Sequence, residues 1–236
     1  MSEESPKDAK VNRDEISGLR ENRLHRLLIQ VLLMVMAAEW LYLLFHARWL
    51  SLFLVTLIVA TLFGPVIFRQ KLDIEVPAEF HLMAVIFIFA SLYLGEVKSF
   101  YHRLWWWDIA LHASAGVLMG ILGFLLVYVL NESKRVELHM TPGFMAFFAF
   151  IFAVAIGALW EIFEFTMDRA FGTNMQKPMF NDLSGLTDTM WDMIVNTLGA
   201  FVICFAGWRY MRQGRTFFVK RWIRKFIRQN PLMFKK

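Results

Sequence analysis

Six apolar runs, separated by short polar stretches, divide the chain. They cover 27–46, 49–68, 78–97, 106–130, 143–165 and 187–208. Each is close to the ~20 residues that cross a hydrocarbon core at about 1.5 Å per residue. Backbone polar groups cannot stay unpaired in lipid, so such runs must be helices or strands of a closed barrel. Period-2 alternation is absent, which leaves helices. The pattern predicts an all-α, polytopic membrane protein: a six-helix transmembrane bundle over 26–209. A tail at 1–25 and a basic tail at 210–236 flank it. The turns are short, with Pro77 suited to a helix first turn. The longest connection, 166–186, holds Gly172, Pro178 and Gly185 and reads as an ordered or mobile cap.

Composition supports the bilayer as solvent. Of 236 residues, 58% are hydrophobic, with 24 Phe and 9 Trp, where a soluble domain has about 45–50%. The single cysteine, Cys204, excludes an intrachain disulfide and reads as an inert buried thiol. Residues 1–25 mix acids and bases ahead of any apolar run, unlike a cleavable signal peptide.

The net charge of +5 is explained by topology and carries no nucleic-acid signal. Twenty of the 25 Lys and Arg fall before residue 27, in 69–77, in 131–142 or after 208. Arg48, Lys98, Arg103, Arg169 and Lys177 are left for the other side. The positive-inside rule then places both termini in the cytoplasm of a bacterial inner membrane. From Phe218 to Arg228, apolar pairs alternate with Lys220-Arg221 and Arg224-Lys225. As a helix this segment has one basic face. It reads as an amphipathic anchor touching anionic inner-leaflet lipid, or as a topology signal alone.

Against this apolar background, acids recur at helical spacing in three runs. The fourth holds Asp108 and His112, the fifth Glu161, Glu164 and Asp168, the sixth Asp188, Asp192 and Asn196. Residues at i, i+3, i+4 and i+7 share a helix face. The predicted topology puts all three faces at the outer end. Gly116, Gly120 and Gly123 follow on the fourth helix and permit close helix approach. Charged side chains facing lipid are costly, so these must face each other, water or a cation. Protonation, pairing with Arg103, Arg169 or His112, or a bound divalent cation would each relieve the crowding.

Asp108, His112, Glu161, Glu164, Asp188 and Asp192 are thus candidate metal ligands. Such an oxygen-rich set with one imidazole suits Mg²⁺, Mn²⁺, Ca²⁺ or iron better than Zn²⁺. Glu161, Asp192 and His112 lie deepest and are the candidate catalytic groups. The plainer alternative for Asp108 and Asp188, at helix starts, is N-capping. Asp168 reads equally as an interface loop residue. Glu39, in the outer half of the first helix, is a further candidate for the cluster. Trp105, Trp106 and Trp107 read as an interfacial belt.

These stretches resemble the YjdF-like family of bacterial inner-membrane proteins. The likeness is carried by 107–112 (WDIALH), 159–164 (LWEIFE), 171–176 (FGTNMQ) and Asp188 to Asp192 with Asn196 and Gly199. The Asp192-x-x-x-Asn196-x-x-Gly199 ending is also similar to VanZ-like membrane proteins. The resemblance implies an inner-membrane location and brings no reaction with it. The function expected from the residues is a divalent-metal-dependent, membrane-embedded enzyme acting on a lipid or lipid-linked substrate. The alternatives are a cation or proton transporter or channel, and a non-catalytic envelope protein with a structural cation site. The His-Glu-x-x-His zinc pattern and a serine nucleophile elbow are both absent.

Overall fold

The computed structural model describes residues 27–28, 30–62, 78–132, 140–180, 182–213, 225–226 and 228–230. The chain is all-α over these residues, with no strand among them; Met179 and Asp182 form an isolated bridge. We number six helices: α1 (Gln30–Phe45), α2 (Trp49–Leu62), α3 (Ala78–Ile88), α4 (Trp107–Glu132), α5 (Pro142–Phe171) and α6 (Leu186–Arg212). A single turn, Phe100–Arg103, precedes α4. Among the described residues, four helices are long and apolar enough to cross a membrane: Glu79–Val97, Trp107–Tyr128, Pro142–Phe171 and Leu186–Arg212. The α1 and α2 segments form shorter apolar helices. The second run's remainder, 63–68, lies outside the described residues.

Helix α3 departs from the regular form. Residues Phe89–Val97 continue it as π-helix, widening the turns and burying Tyr93, Gly95 and Val97. Gly95 accommodates the Tyr101 ring, whose Cζ would stand 2.7 Å from any added Cβ. Helix α5 runs farther than its apolar run, through Asp168 to Phe171, correcting the loop start expected at 166. Thr166 returns its hydroxyl to the Ile162 carbonyl at 2.7 Å, so it does not break the helix. Gly172, at φ 64°, supplies the left-handed stop. At the other end Thr141 caps the Phe144 N–H and Pro142 takes the first turn.

Two packed groups result. Helices α4, α5 and α6 pack mutually around Ile121, Phe124, Val127, Ala149, Ile203 and Cys204. Small residues make that closeness possible. At Gly123 an added Cβ would meet Ala149 Cα at 2.8 Å, and at Gly207 the Phe124 ring at 2.6 Å. The other group joins α1, α2 and the π segment around Met36, Leu43, Val55, Ile58 and Tyr93. Trp40 donates to Thr56 at 3.0 Å between α1 and α2, a polar contact of the kind that holds membrane helices together. Large apolar side chains such as Phe147, Ile162 and Val202 stand exposed, as lipid-facing residues do.

The amphipathic helix expected over 218–228 lies mostly outside the described residues. Within them Lys225 pairs with Glu79 at 2.8 Å, and Phe226 is buried.

Candidate functional site

One end of the α4–α5–α6 bundle holds the polar residues. Asp108 and His112 stand one turn apart on α4. Glu161 and Glu164 lie on the buried face of α5, and Asp188, Asp192 and Asn196 form a buried stripe down α6. The chamber rests on a tight floor. Asn196 donates to the Ala153 carbonyl, and its amide carbon would be 2.8 Å from a Cβ on Gly157. Gly116 lies against the Asn196 carbonyl, with Ala200 N at 2.9 Å from its missing Cβ.

The His112 ring is the centre. Its Nε2 faces Asp108 Oδ1 at 3.6 Å and Asp192 Oδ2 at 3.7 Å, while Nδ1 faces Glu161 Oε1 at 3.6 Å. A neutral imidazole has one N–H to offer three carboxylates. Asp192 is 1% exposed, yet neither of its oxygens has a hydrogen-bond partner, and Glu161 Oε2 is likewise unpartnered. Donor atoms of Asp108, His112 and Asp192 all lie within 4.8 Å of one another. Ligands sharing a cation at about 2.0–2.4 Å stand roughly 3–4 Å apart, so the spacing suits one ion.

The other predicted ligands are placed around this triad. Glu164 accepts the Trp160 indole N–H at 3.0 Å. Asp188 accepts the backbone N–H of Lys177 at 2.7 Å, so it ties down the loop and does not cap its own helix. Asp168 organises the same loop: its carboxylate accepts from Thr173 Oγ1, Met175 N and Gln176 N at 2.6–2.9 Å. Gln176 in turn donates to Thr189 at 2.7 Å, and the Thr189 hydroxyl reaches Glu161. Glu39 is drawn elsewhere, to Lys98 at 3.0 Å and the Tyr93 hydroxyl at 3.1 Å.

Sequence reasoning missed the cation of the site. Lys177 Nζ binds Asp108 Oδ2 at 2.7 Å and lies 4.0 Å from the Tyr101 ring centre. Burial alone would push this ammonium's pKa down, but the Asp108 charge and hydrogen bond outweigh it and hold it up. Burial drives the Tyr101 hydroxyl up to about 12, so it stays neutral. Arg103 and Arg169, the cations expected from sequence, do not reach the triad; Arg169 sits over the Phe165 ring at 5.3 Å. The available signal was that Lys177 directly follows the 171–176 stretch, whose loop Asp168 folds back over the helix ends.

That loop is built, not slack. Asp182 accepts from Ser184 N and from the Thr187 N–H and hydroxyl, and these bonds hold its carboxyl well below the usual carboxylate range. Gly185, at φ 79°, lies with Gln176 Cβ 2.8 Å from where its own Cβ would be. Asp168→Ala will release the turn at 173–176. Limited proteolysis between 172 and 185 is expected to quicken by at least about tenfold, since even one such bond to a charged acceptor contributes about 1.5–3 kcal/mol. An unchanged cleavage rate would show that the loop is held by other means.

Long apolar helices around a buried acid–histidine chamber define an all-α membrane protein. The chain belongs to the family described as predicted membrane protein, DUF2238, whose profile matches residues 28–213. It is 29% identical over 159 residues to a protein of Thermotoga maritima described as uncharacterized, covering 67% of this chain and 77% of that one. No solved structure matches it.

Proposed function

We propose that this protein is a divalent-metal-dependent enzyme embedded in the bacterial inner membrane, acting on a lipid or lipid-linked substrate at the outer leaflet. The observation that carries the reading is the Asp192 carboxylate, sealed from water with no hydrogen bond to either oxygen and only the His112 ring facing it, at 3.7 Å. Such a group costs several kcal/mol unless a cation or a proton meets it. Asp108, His112 and Asp192 would hold the ion, and the hard oxygen donors favour Mg²⁺, Mn²⁺, Ca²⁺ or iron over Zn²⁺. A bound ion supplies Lewis acidity and a more acidic water. Glu161 Oε1, 3.6 Å from the far nitrogen of His112, would orient the ring once the ion is held. Lys177 fixes Asp108 and brings positive charge to the chamber mouth. Glu164 and Asp188 shape the wall.

The location is part of the same reading. With α1 and α2 as spans beside the four longer helices, six crossings return both termini to the cytoplasm, and the charge asymmetry agrees. The layout is then a tail at 1–25, a membrane domain at 26–209 and a basic tail at 210–236 that holds anionic lipid. The YjdF-like resemblance fits this placement. Transport is disfavoured, because below the chamber the described parts of α4, α5 and α6 meet through glycine contacts and an apolar core.

Elemental analysis of the purified protein tests the site. Wild type is expected to carry one divalent ion per chain, Asp192→Asn none. Glu161→Gln, which leaves the three ligands in place, is expected to lose affinity about 10–100-fold. Wild-type protein free of stoichiometric metal after gentle purification overturns the reading. A second reading, a structural cation site, is favoured by the loop that Lys177 anchors over the mouth. It stands if metal-loaded protein turns over no lipid or lipid-linked substrate.

A further inference from the structure

A second polar site lies beside the chamber, in the other packed group. Arg48, Lys98 and Arg103, with Glu39 and Tyr42, line an open cleft of about 510 Å³ in which both arginines stay exposed. Glu39 engages Lys98 with both oxygens at 3.0 Å. Among the described residues, Arg48 and Arg103 meet no carboxylate, so the cavity keeps two uncompensated guanidinium groups.

Three further observations set this cavity apart from a scatter of interface charges. Of the five basic residues the sequence leaves at this end of the helices, three converge here. The backbone around it is irregular: Ala47 and Ser99 hold positive φ, at 52° and 60°, and the π-helical turns end at Val97 on its wall. Non-glycine residues in that region carry strain that concentrates at ligand sites, and π turns do the same. Finally, Phe45, Trp49 and Trp105 flank the basic residues in sequence and are largely exposed, as aromatic side chains are at headgroup depth.

We infer that Arg48, Lys98 and Arg103 form a binding site for a phosphate anion, carried by a membrane lipid headgroup or free in solution. Arginine pairs with phosphate oxygens in a bidentate fork, which a general surface charge does not provide. Glu39 tunes the site, because it occupies Lys98 and lowers the net charge of the cavity. The site stands whether or not the neighbouring chamber binds a cation.

The full-length protein in neutral detergent is titrated with inorganic phosphate, and separately with phosphatidylglycerol in mixed micelles against phosphatidylcholine. Saturable binding of at least one probe is expected. The Arg48→Gln/Arg103→Gln double variant, whose changes are on exposed side chains, will weaken it by about tenfold or more. Glu39→Gln will tighten it severalfold by freeing Lys98. Binding of phosphatidylglycerol alone identifies the lipid headgroup as the source; binding of both identifies the phosphate group itself. Equal affinity in wild type and the double variant at unchanged melting temperature overturns the inference, as does a wild type that saturates with neither probe.

Discussion

Gly116→Leu will force α4 away from α6 and destabilise the bundle by about 3 kcal/mol or more. A Cβ at this position falls on the Asn196 carbonyl oxygen, and Ala200 N is only 2.9 Å away. Both are backbone atoms, so no rotamer change makes room. The facing contact is equally close, because a Cβ added to Gly199 would fall on the Ala113 carbonyl, with its carbon at 3.0 Å. Two glycines on opposite helices thus set one interaxial distance, and in lipid that close packing is the main attraction between helices. The same contact sits one turn below His112 and Asp192, so separating the helices also opens the triad. Gly143→Ala is the control. Its nearest neighbour would be Trp208 Nε1 at 4.0 Å, and the change should stay within about 1 kcal/mol. Thermal melting of both purified variants decides the matter; a Gly116→Leu protein that melts like Gly143→Ala means the helices are not held there.

The legible parts of this molecule are those that periodicity controls. Asp188, Asp192 and Asn196 recur every fourth residue, and such a stripe in an apolar helix has one place to go, so their burial on a shared face follows from spacing. Asp108 and His112 obey the same rule. The glycines after them mark the helix contact, since at Gly116 and Gly123 an added Cβ would meet facing backbone. What periodicity does not reach is how separate faces are turned against each other. That Glu161 takes one nitrogen of His112 while Asp108 and Asp192 share the other depends on three helix rotations at once. Lys177 was hidden for a different reason. Its position depends on a loop whose fold is dictated by side-chain acceptors, Asp168 and Asp182, and loops have no period to read. The end of α5 follows from Gly172, the stop signal, which a threonine at 166 does not outweigh. The π-helical turns of α3 carry no sequence mark; the contacts made within them, Tyr93 with Glu39 and Gly95 with Tyr101, join residues on separate elements.

Removing divalent cations with a chelator will lower the melting temperature of the wild-type protein by on the order of 10 °C and leave Asp192→Asn unmoved. A ligand that binds only the folded state stabilises it by about 4 kcal/mol when its free concentration exceeds Kd a thousandfold, and a domain of this size shifts by about 2–4 °C per kcal/mol. The informative comparison is between the two metal-free proteins. Without an ion, wild type must bury an Asp192 side chain that no donor satisfies, beside Asp108 and Glu161 around the same imidazole. The asparagine keeps the shape and removes the charge, so the metal-free variant should melt no lower than metal-free wild type. With the ion present the order reverses, and wild type is the more stable. A purely structural network of hydrogen bonds has no such crossing: there the asparagine variant is the weaker protein under both conditions, and chelation changes neither. Melting curves of the two proteins, each with added Mg²⁺ or Mn²⁺ and with chelator, therefore test the site by the sign of one difference, independent of any substrate.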